Sequence, residues 1–246
     1  RPTHPELLDW LAVQFVEQGW SIKELHRMIM LSSTYQMSSA YNAKLAERDP
    51  ENRLLWRMNR KRLEAEAIRD SILAVCGQLD LEMGGSMLGV ENRKYVTSTS
   101  NVNPVVYDTN RRSVYLPIVR SALYEVLQAF DFADPSVLSG DRTHTTVAPQ
   151  ALFMMNSKFI LENTRVFAEQ IMHQTHLDPP EKVNLIYERV FSRPATEEET
   201  SRALEYLKLY RGELDALELP QEEKTQLTWQ SLCRVLISSN EFLFVN

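Results

Sequence analysis

Apolar residues return every three or four positions along most of this chain, the period of an α-helix that buries one face. Leu7, Leu8, Leu11 and Phe15 share one side of a first predicted helix. Thr3 and Glu6 open it with capping-box spacing, and Gly19 closes it, because glycine readily takes the left-handed conformation at a helix end. Ser21 and Glu24 repeat the box ahead of Ile22, Leu25 and Ile29, and Ser32-Ser33-Thr34 then lowers helix propensity. Trp20, Ile22 and Leu25 read as core residues. Asp49-Pro50 marks another helical start, with proline in the first turn, where an amide would lack a partner anyway. In the long helix that follows, Ile68, Ile72, Val75 and Leu79 form a seam. Arg60 with Glu64, and Arg62 with Glu66, stand four apart on its wet side until Gly84-Gly85 breaks it.

Further on, Ile160, Thr164, Phe167 and Ile171 predict a second buried stripe, and Asp178 precedes a double proline. Thr196 and Glu199 make a third capping box before Leu204, Leu207 and Tyr210. A last helix carries Trp229, Leu232 and Leu236 and ends near Asn240, and the apolar tail from Phe242 to Val245 is expected to dock on the core. One stretch resists this reading. From Val90 to Val119 the chain is polar, aromatic and β-branched, and Ser113–Val119 is the best strand candidate, with Pro117 confining it to an edge. The pattern therefore predicts a mainly α fold, an irregular multi-helix bundle with a small β-hairpin or edge-strand insertion. We read 1–246 as a single helical domain, with lobes of about 1–89 and 120–246 joined by an irregular insertion over 90–119.

Composition narrows the function classes. With 246 residues and 43% hydrophobic side chains, the chain can bury a large core without disulfides or a structural metal. Its 33 acids and 27 bases are interspersed, giving a formal charge of −6 and no broad positive field, so nucleic acid is not an expected partner. The basic run Arg57–Arg69 is interleaved with Glu64, Glu66 and Asp70 and reads as solvated salt-bridge lacing. The helices flanking Gly19 offer few base-reading side chains for a helix-turn-helix. No apolar run is long enough to span a bilayer. Arg1, in place of an initiator methionine, leads to the expectation of a fragment whose export signal would lie upstream. Cys76 and Cys233 sit among apolar helical residues and read as buried thiols.

Candidate chemistry is sparse, and each candidate has an ordinary structural explanation. Asp131, Asp134, Asp141, Arg142, His144, Thr145 and Thr146 precede a helix expected near Pro149, and a helix N-terminus favours anions. Arg142 could fork a carboxylate or sulfate there, Thr145 and Thr146 could complete the pocket, and His144 could move protons. Thr and Asp before a helix are also ordinary caps and loop braces, and that is the better reading. Arg111 and Arg112, beside Tyr107 and Tyr115, could hold an acidic sugar or a partner carboxylate, or form buried structural pairs such as Arg112 with Asp141. The aspartates lack the alternation and central glycine of a calcium loop. His173 and His176 lie three apart with no third metal ligand evident, so no metal is expected. There is no Gly-x-Ser-x-Gly elbow, and no Cys-x-x-Cys-His for covalent haem attachment.

Seven segments occur in order as the blocks of one family: Pro2-Thr-His-Pro-Glu-Leu-Leu-Asp-Trp-Leu11, Leu25-His-Arg-Met-Ile-Met-Leu-Ser32, Asn52-Arg-Leu-Leu-Trp-Arg57, Arg62-Leu-Glu-Ala-Glu-Ala-Ile-Arg-Asp70, Arg111-Arg-Ser-Val-Tyr115, Thr145-Thr-Val-Ala-Pro-Gln-Ala-Leu152 and Ser239-Asn-Glu-Phe-Leu243. Together they resemble the planctomycete PSD-one domain, a C-terminal domain of unknown function. The resemblance implies an exported, extracytoplasmic multidomain protein with a second domain of unknown function upstream and often c-type cytochrome-like domains. Any haem would then belong to those upstream parts, and no cofactor is expected in this fragment. No catalytic residue carries over.

The leading expectation is an accessory or interaction module presenting the 90–146 region to an anionic ligand or to another domain of the same chain. The rival is an enzyme acting on acidic or sulfated polysaccharide, with Asp141, Arg142 and His144 near the reacting groups and Arg112 positioning an anion.

Overall fold

A computed structural model describes residues 2–85, 87, 108–118, 123–135, 137–138 and 142–245. Most of the 90–119 insertion, together with Tyr107, Val119 and Asp141, lies outside the described residues. As predicted, the fold is mainly α. The only strands among the described residues are β1 (Lys61–Arg62) and β2 (Phe244–Val245), which pair as a two-stranded antiparallel sheet. The Ser113–Tyr115 stretch expected to be extended instead forms a 3-10 turn, and only an isolated bridge joins Asp80 to Arg111. The chain groups into two compact units, Arg1–Lys61 with Phe244–Asn246 and Arg62–Leu243.

The first unit holds α1 (Pro5–Glu17), α2 (Ile22–Met30) and α3 (Ala43–Arg48). Thr3 does not cap α1. Pro5, pre-set for the first helical position, moves the cap to His4, and the Thr3 hydroxyl meets the His4 ring at 3.0 Å. Gly19 ends α1 as expected. At φ +70° it donates to the Val16 carbonyl at 3.0 Å, while the Trp20 amide reaches the Phe15 carbonyl at 2.9 Å, a Schellman closure sealed by an edge-on Phe15–Trp20 contact at 5.4 Å. Ser21 accepts from the Glu24 amide at 3.3 Å, but the Glu24 carboxylate turns to Arg27, so only half of that box forms. Asp49-Pro50 opens no helix, because Asp49 is spent closing α3 and folding the next turn. Its carboxylate accepts from the Arg53 and Leu54 amides at 2.9 and 2.7 Å, and its carbonyl accepts from the Trp56 indole at 2.9 Å. Asn52, at φ +54°, donates to the Arg57 carbonyl at 2.8 Å.

The second unit holds α4 (Ala65–Val75), α5 (Glu125–Ala129), α6 (Ala148–Asn156), α7 (Lys158–Met172), α8 (Pro179–Phe191), α9 (Glu197–Asp215), α10 (Gln221–Ile237) and α11 (Asn240–Leu243). Its core is the one the periodicity predicts. Ile160, Thr164, Phe167 and Ile171 on α7 are fully buried, and α7 packs most extensively against α10, which contributes Trp229, Leu232 and Leu236. Thr164 can occupy this apolar stripe because its hydroxyl donates to the Ile160 carbonyl at 2.7 Å, leaving no buried donor unpaired. Ile68 and Ile72 seat α4 in the same core, and Phe242 and Leu243 are buried near its end. Helix starts follow the sequence signals. The Thr196–Glu199 box closes in both directions, at 3.2 and 2.8 Å, and Asp178 with Glu181 does the same at 2.9 and 2.8 Å.

Candidate functional site

Two places merit a chemical reading, one in each unit. In the second unit the suspected polar residues are drawn into bracing networks. Asp131 takes φ +57°, an uncommon left-handed conformation for a residue with a side chain, and this turns its carboxylate toward the chain entering α6. There it accepts from the Thr145 amide at 2.8 Å and the Thr145 hydroxyl at 2.9 Å. It also takes the buried Arg62 guanidinium at 2.7 Å, and Gln150 donates to the Thr145 hydroxyl at 3.4 Å. Burial opposes ionisation of Asp131, but the Thr145 and Arg62 donors outweigh it and hold the carboxyl below its ordinary value. The position before α6 where an anion was suspected is thus filled by the chain's own carboxylate.

Arg142 is engaged as well. It forks Glu66 at 2.7 and 2.9 Å, reaches Glu64 at 3.2 Å and lies over the Phe132 ring at 5.2 Å. The hydrogen bonds to Glu66, strengthened by charge from both glutamates, raise its pKa further. His144 and Thr146 are exposed, while Asp141 lies outside the described residues.

Arg111 donates to the carbonyls of Glu82 (3.0 Å) and Gly84 and lies 4.8 Å from the Tyr115 ring centre. Arg112 donates to the Tyr115 hydroxyl at 3.1 Å. Behind them is a residue that sequence reading misplaced. Arg69, assigned to solvated lacing, is fully buried in α4 and donates to the carbonyls of Arg111 (2.8 Å) and Thr109 and to Asp70 at 3.2 Å. Asp70 accepts from the Ser113 amide at 2.9 Å and hydroxyl at 2.6 Å, so this helix fastens the irregular segment. Arg62 was misplaced for a related reason. It precedes the start of α4, so helical i,i+4 spacing to Glu66 never applies, and it turns inward to Asp131.

Cys76 and Cys233 are buried as expected, and desolvation pushes the Cys76 thiol up to about 12 against the pull of Arg189. Separate in sequence and enclosed, they do not fit covalent haem attachment. His173 ends α7 with Nδ1 2.7 Å from the Glu169 carbonyl, and His176 is exposed. Among the described residues no three His, Cys, Asp or Glu side chains gather to hold a metal, and no helix is long and apolar enough to cross a membrane.

The first unit presents the opposite surface. Neither α1 nor α2 buries a single residue, and Trp20 and Ile22, read as core, are 67% and 62% exposed. Their apolar sides line an open groove of about 610 Å3, with Leu7, Trp10, Leu11, Met28 and Leu54 among its walls. None of the lining residues is acidic, whereas Arg57 and Lys61 both stand on it. Arg57 rests over the rings of Trp56 at 4.9 Å and Tyr41 at 5.7 Å, and its Nε has no hydrogen-bond partner. Neither cation forms an ion pair among the described residues. Periodicity revealed the stripes here but not that they stay open, because a helix facing its own core and one facing a partner carry the same pattern.

These features define a helical module with an internally braced polar region and an apolar groove. Residues 1–207 match the family model PSD1, Protein of unknown function (DUF1553), and the chain belongs to that family. The block Ser239–Leu243 lies beyond the match. No curated protein and no solved structure matches the chain.

Proposed function

We propose that this chain is an accessory interaction module that docks another protein domain through the groove of its first unit. One observation carries the reading: α1 and α2 leave their apolar stripes uncovered around a concave surface. A contiguous apolar patch of this kind costs solvation free energy that burial against a partner recovers. An anionic ligand at Thr145 would have to displace the Asp131 carboxylate, and a substrate anion at Arg142 would have to displace Glu66, so the polysaccharide enzyme gains no support from this geometry. The setting we propose is extracytoplasmic, beside upstream domains that can carry c-type haem, and it rests on the family resemblance alone.

The test is whether the groove is open in solution. An uncharged apolar fluorescent probe such as Nile red should bind the folded chain and lose most of its binding in Leu7→Gln and Trp10→Gln variants of unchanged helicity. Probe binding that ignores both substitutions would remove the docking face.

A further inference from the structure

We infer that the groove's occupant is an amphipathic helix of a partner domain whose polar edge carries carboxylates. This rests on the docking reading above and adds the partner's shape and charge.

The shape argument starts from layer packing. Two short helices in contact can cover only part of each other's apolar side, and a third element completes the layer. The groove lies among α1, α2 and the 52–61 segment, and an apolar-walled groove of this kind accepts the i, i+3, i+4, i+7 side chains of a helix. Leu8, Val13 and Val16 are exposed as well, on the sides of α1 turned away from Leu7 and Leu11. A membrane surface fits less well, because it is flat where this site is concave, and an anionic leaflet would meet a chain of net charge −6.

The charge argument is local and opposes the whole-chain balance. The chain has more acids than bases, yet no acid lines the groove. Arg57 and Lys61 stand there without a carboxylate partner, although Arg62 and Arg142 elsewhere each hold one. Arg57 is also held in place by stacking on two aromatic rings, so little side-chain freedom remains to be lost when a carboxylate arrives. Cations at the edge of an apolar trough select acidic partners and repel basic ones, chiefly through orientation and encounter rate.

The experiment compares two synthetic helical peptides of about eighteen residues, roughly five turns. They share one leucine stripe and differ only in carrying glutamate or lysine elsewhere, and binding to the full 246-residue chain is read by fluorescence anisotropy. The glutamate peptide should bind about tenfold more tightly or better, with an advantage that shrinks as salt is added. The double variant Arg57→Gln, Lys61→Gln should reduce that advantage to about twofold without changing lysine-peptide binding. Trp10→Ala should weaken both peptides. Equal affinity for the two peptides would overturn the charge inference while leaving the docking face intact. A Trp10-dependent dimer that excludes both peptides would overturn it in favour of a second copy. Binding only to phosphatidylcholine–phosphatidylglycerol vesicles would overturn it in favour of a lipid surface. Loss of both peptide binding and apolar-probe binding would sink the docking reading with it.

Discussion

The two compact units use their apolar residues in opposite ways. In the second, α7 buries Ile160, Phe167 and Ile171 completely, and α4, α8 and α10 bring further fully buried side chains. In the first, the buried residues among those described are Ser39, Asp49 and Asn52, all polar, while Leu7, Leu8, Trp10 and Trp20 stand at the surface. One unit is held by packed side chains; the other is held by helix caps, a Schellman closure and the hydrogen bonds of Asp49 and Asn52. An amphipathic stripe thus specifies a helix and a face but not what covers that face. Covered, it stabilises the chain; uncovered, it is available for binding.

The sharpest way to break this contrast is through Arg69. Arg69→Ala should remove a buried cation and leave carbonyls unsatisfied, costing about 4–5 kcal/mol in urea unfolding. A cost under about 1 kcal/mol would show that the network is dispensable. Phe167→Ala should cost about 3–4 kcal/mol, whereas Trp10→Ala in the first unit should cost no more than about 0.5 kcal/mol. Similar losses for the two would erase the distinction between the units.

Acid should act on the second unit through Glu199. The Arg193 guanidinium, together with the Thr196 amide and hydroxyl, holds this carboxyl down at about 2, against the opposing effect of burial. Its folded value lies below its unfolded one, so the contribution is present above about pH 4.5 and is lost as pH falls toward 2. After allowance for solvent screening, roughly 2 kcal/mol should disappear over that range, and Glu199→Gln should flatten this part of the stability profile. An unchanged acid limb in the variant would mean the pair is not felt.

The core of the second unit was legible in the sequence because its signals are local and repeated. The α7 stripe, the Thr196–Glu199 box and the Asp178 start of α8 each need only a few neighbouring residues to be recognised. The inward roles of Arg62 and Arg69, and the Arg62 contact of Asp131, escaped because their partners lie far along the chain. Arg62 meets Asp131 across 69 positions, and Arg69 meets the Arg111 carbonyl across 42. A basic residue four places from an acid, like Arg62, or inside a run interleaved with acids, like Arg69, predicts a surface charge by default, and only the fold reveals that these arginines turn inward. At Thr145 the carboxylate that accepts from its amide and hydroxyl is the chain's own Asp131. Trp20 and Ile22 were misread as core because hydrophobicity alone does not distinguish an interior from a surface left uncovered.

The extensive pairing of α7 with α10 has a consequence for biosynthesis. Synthesis makes Lys158–Met172 well before Gln221–Ile237, so a growing chain emerges from the ribosome with the Ile160, Phe167 and Ile171 stripe still lacking its mate. An expression fragment trimmed at residue 207, where the family match stops, would keep that orphaned condition permanently and should aggregate.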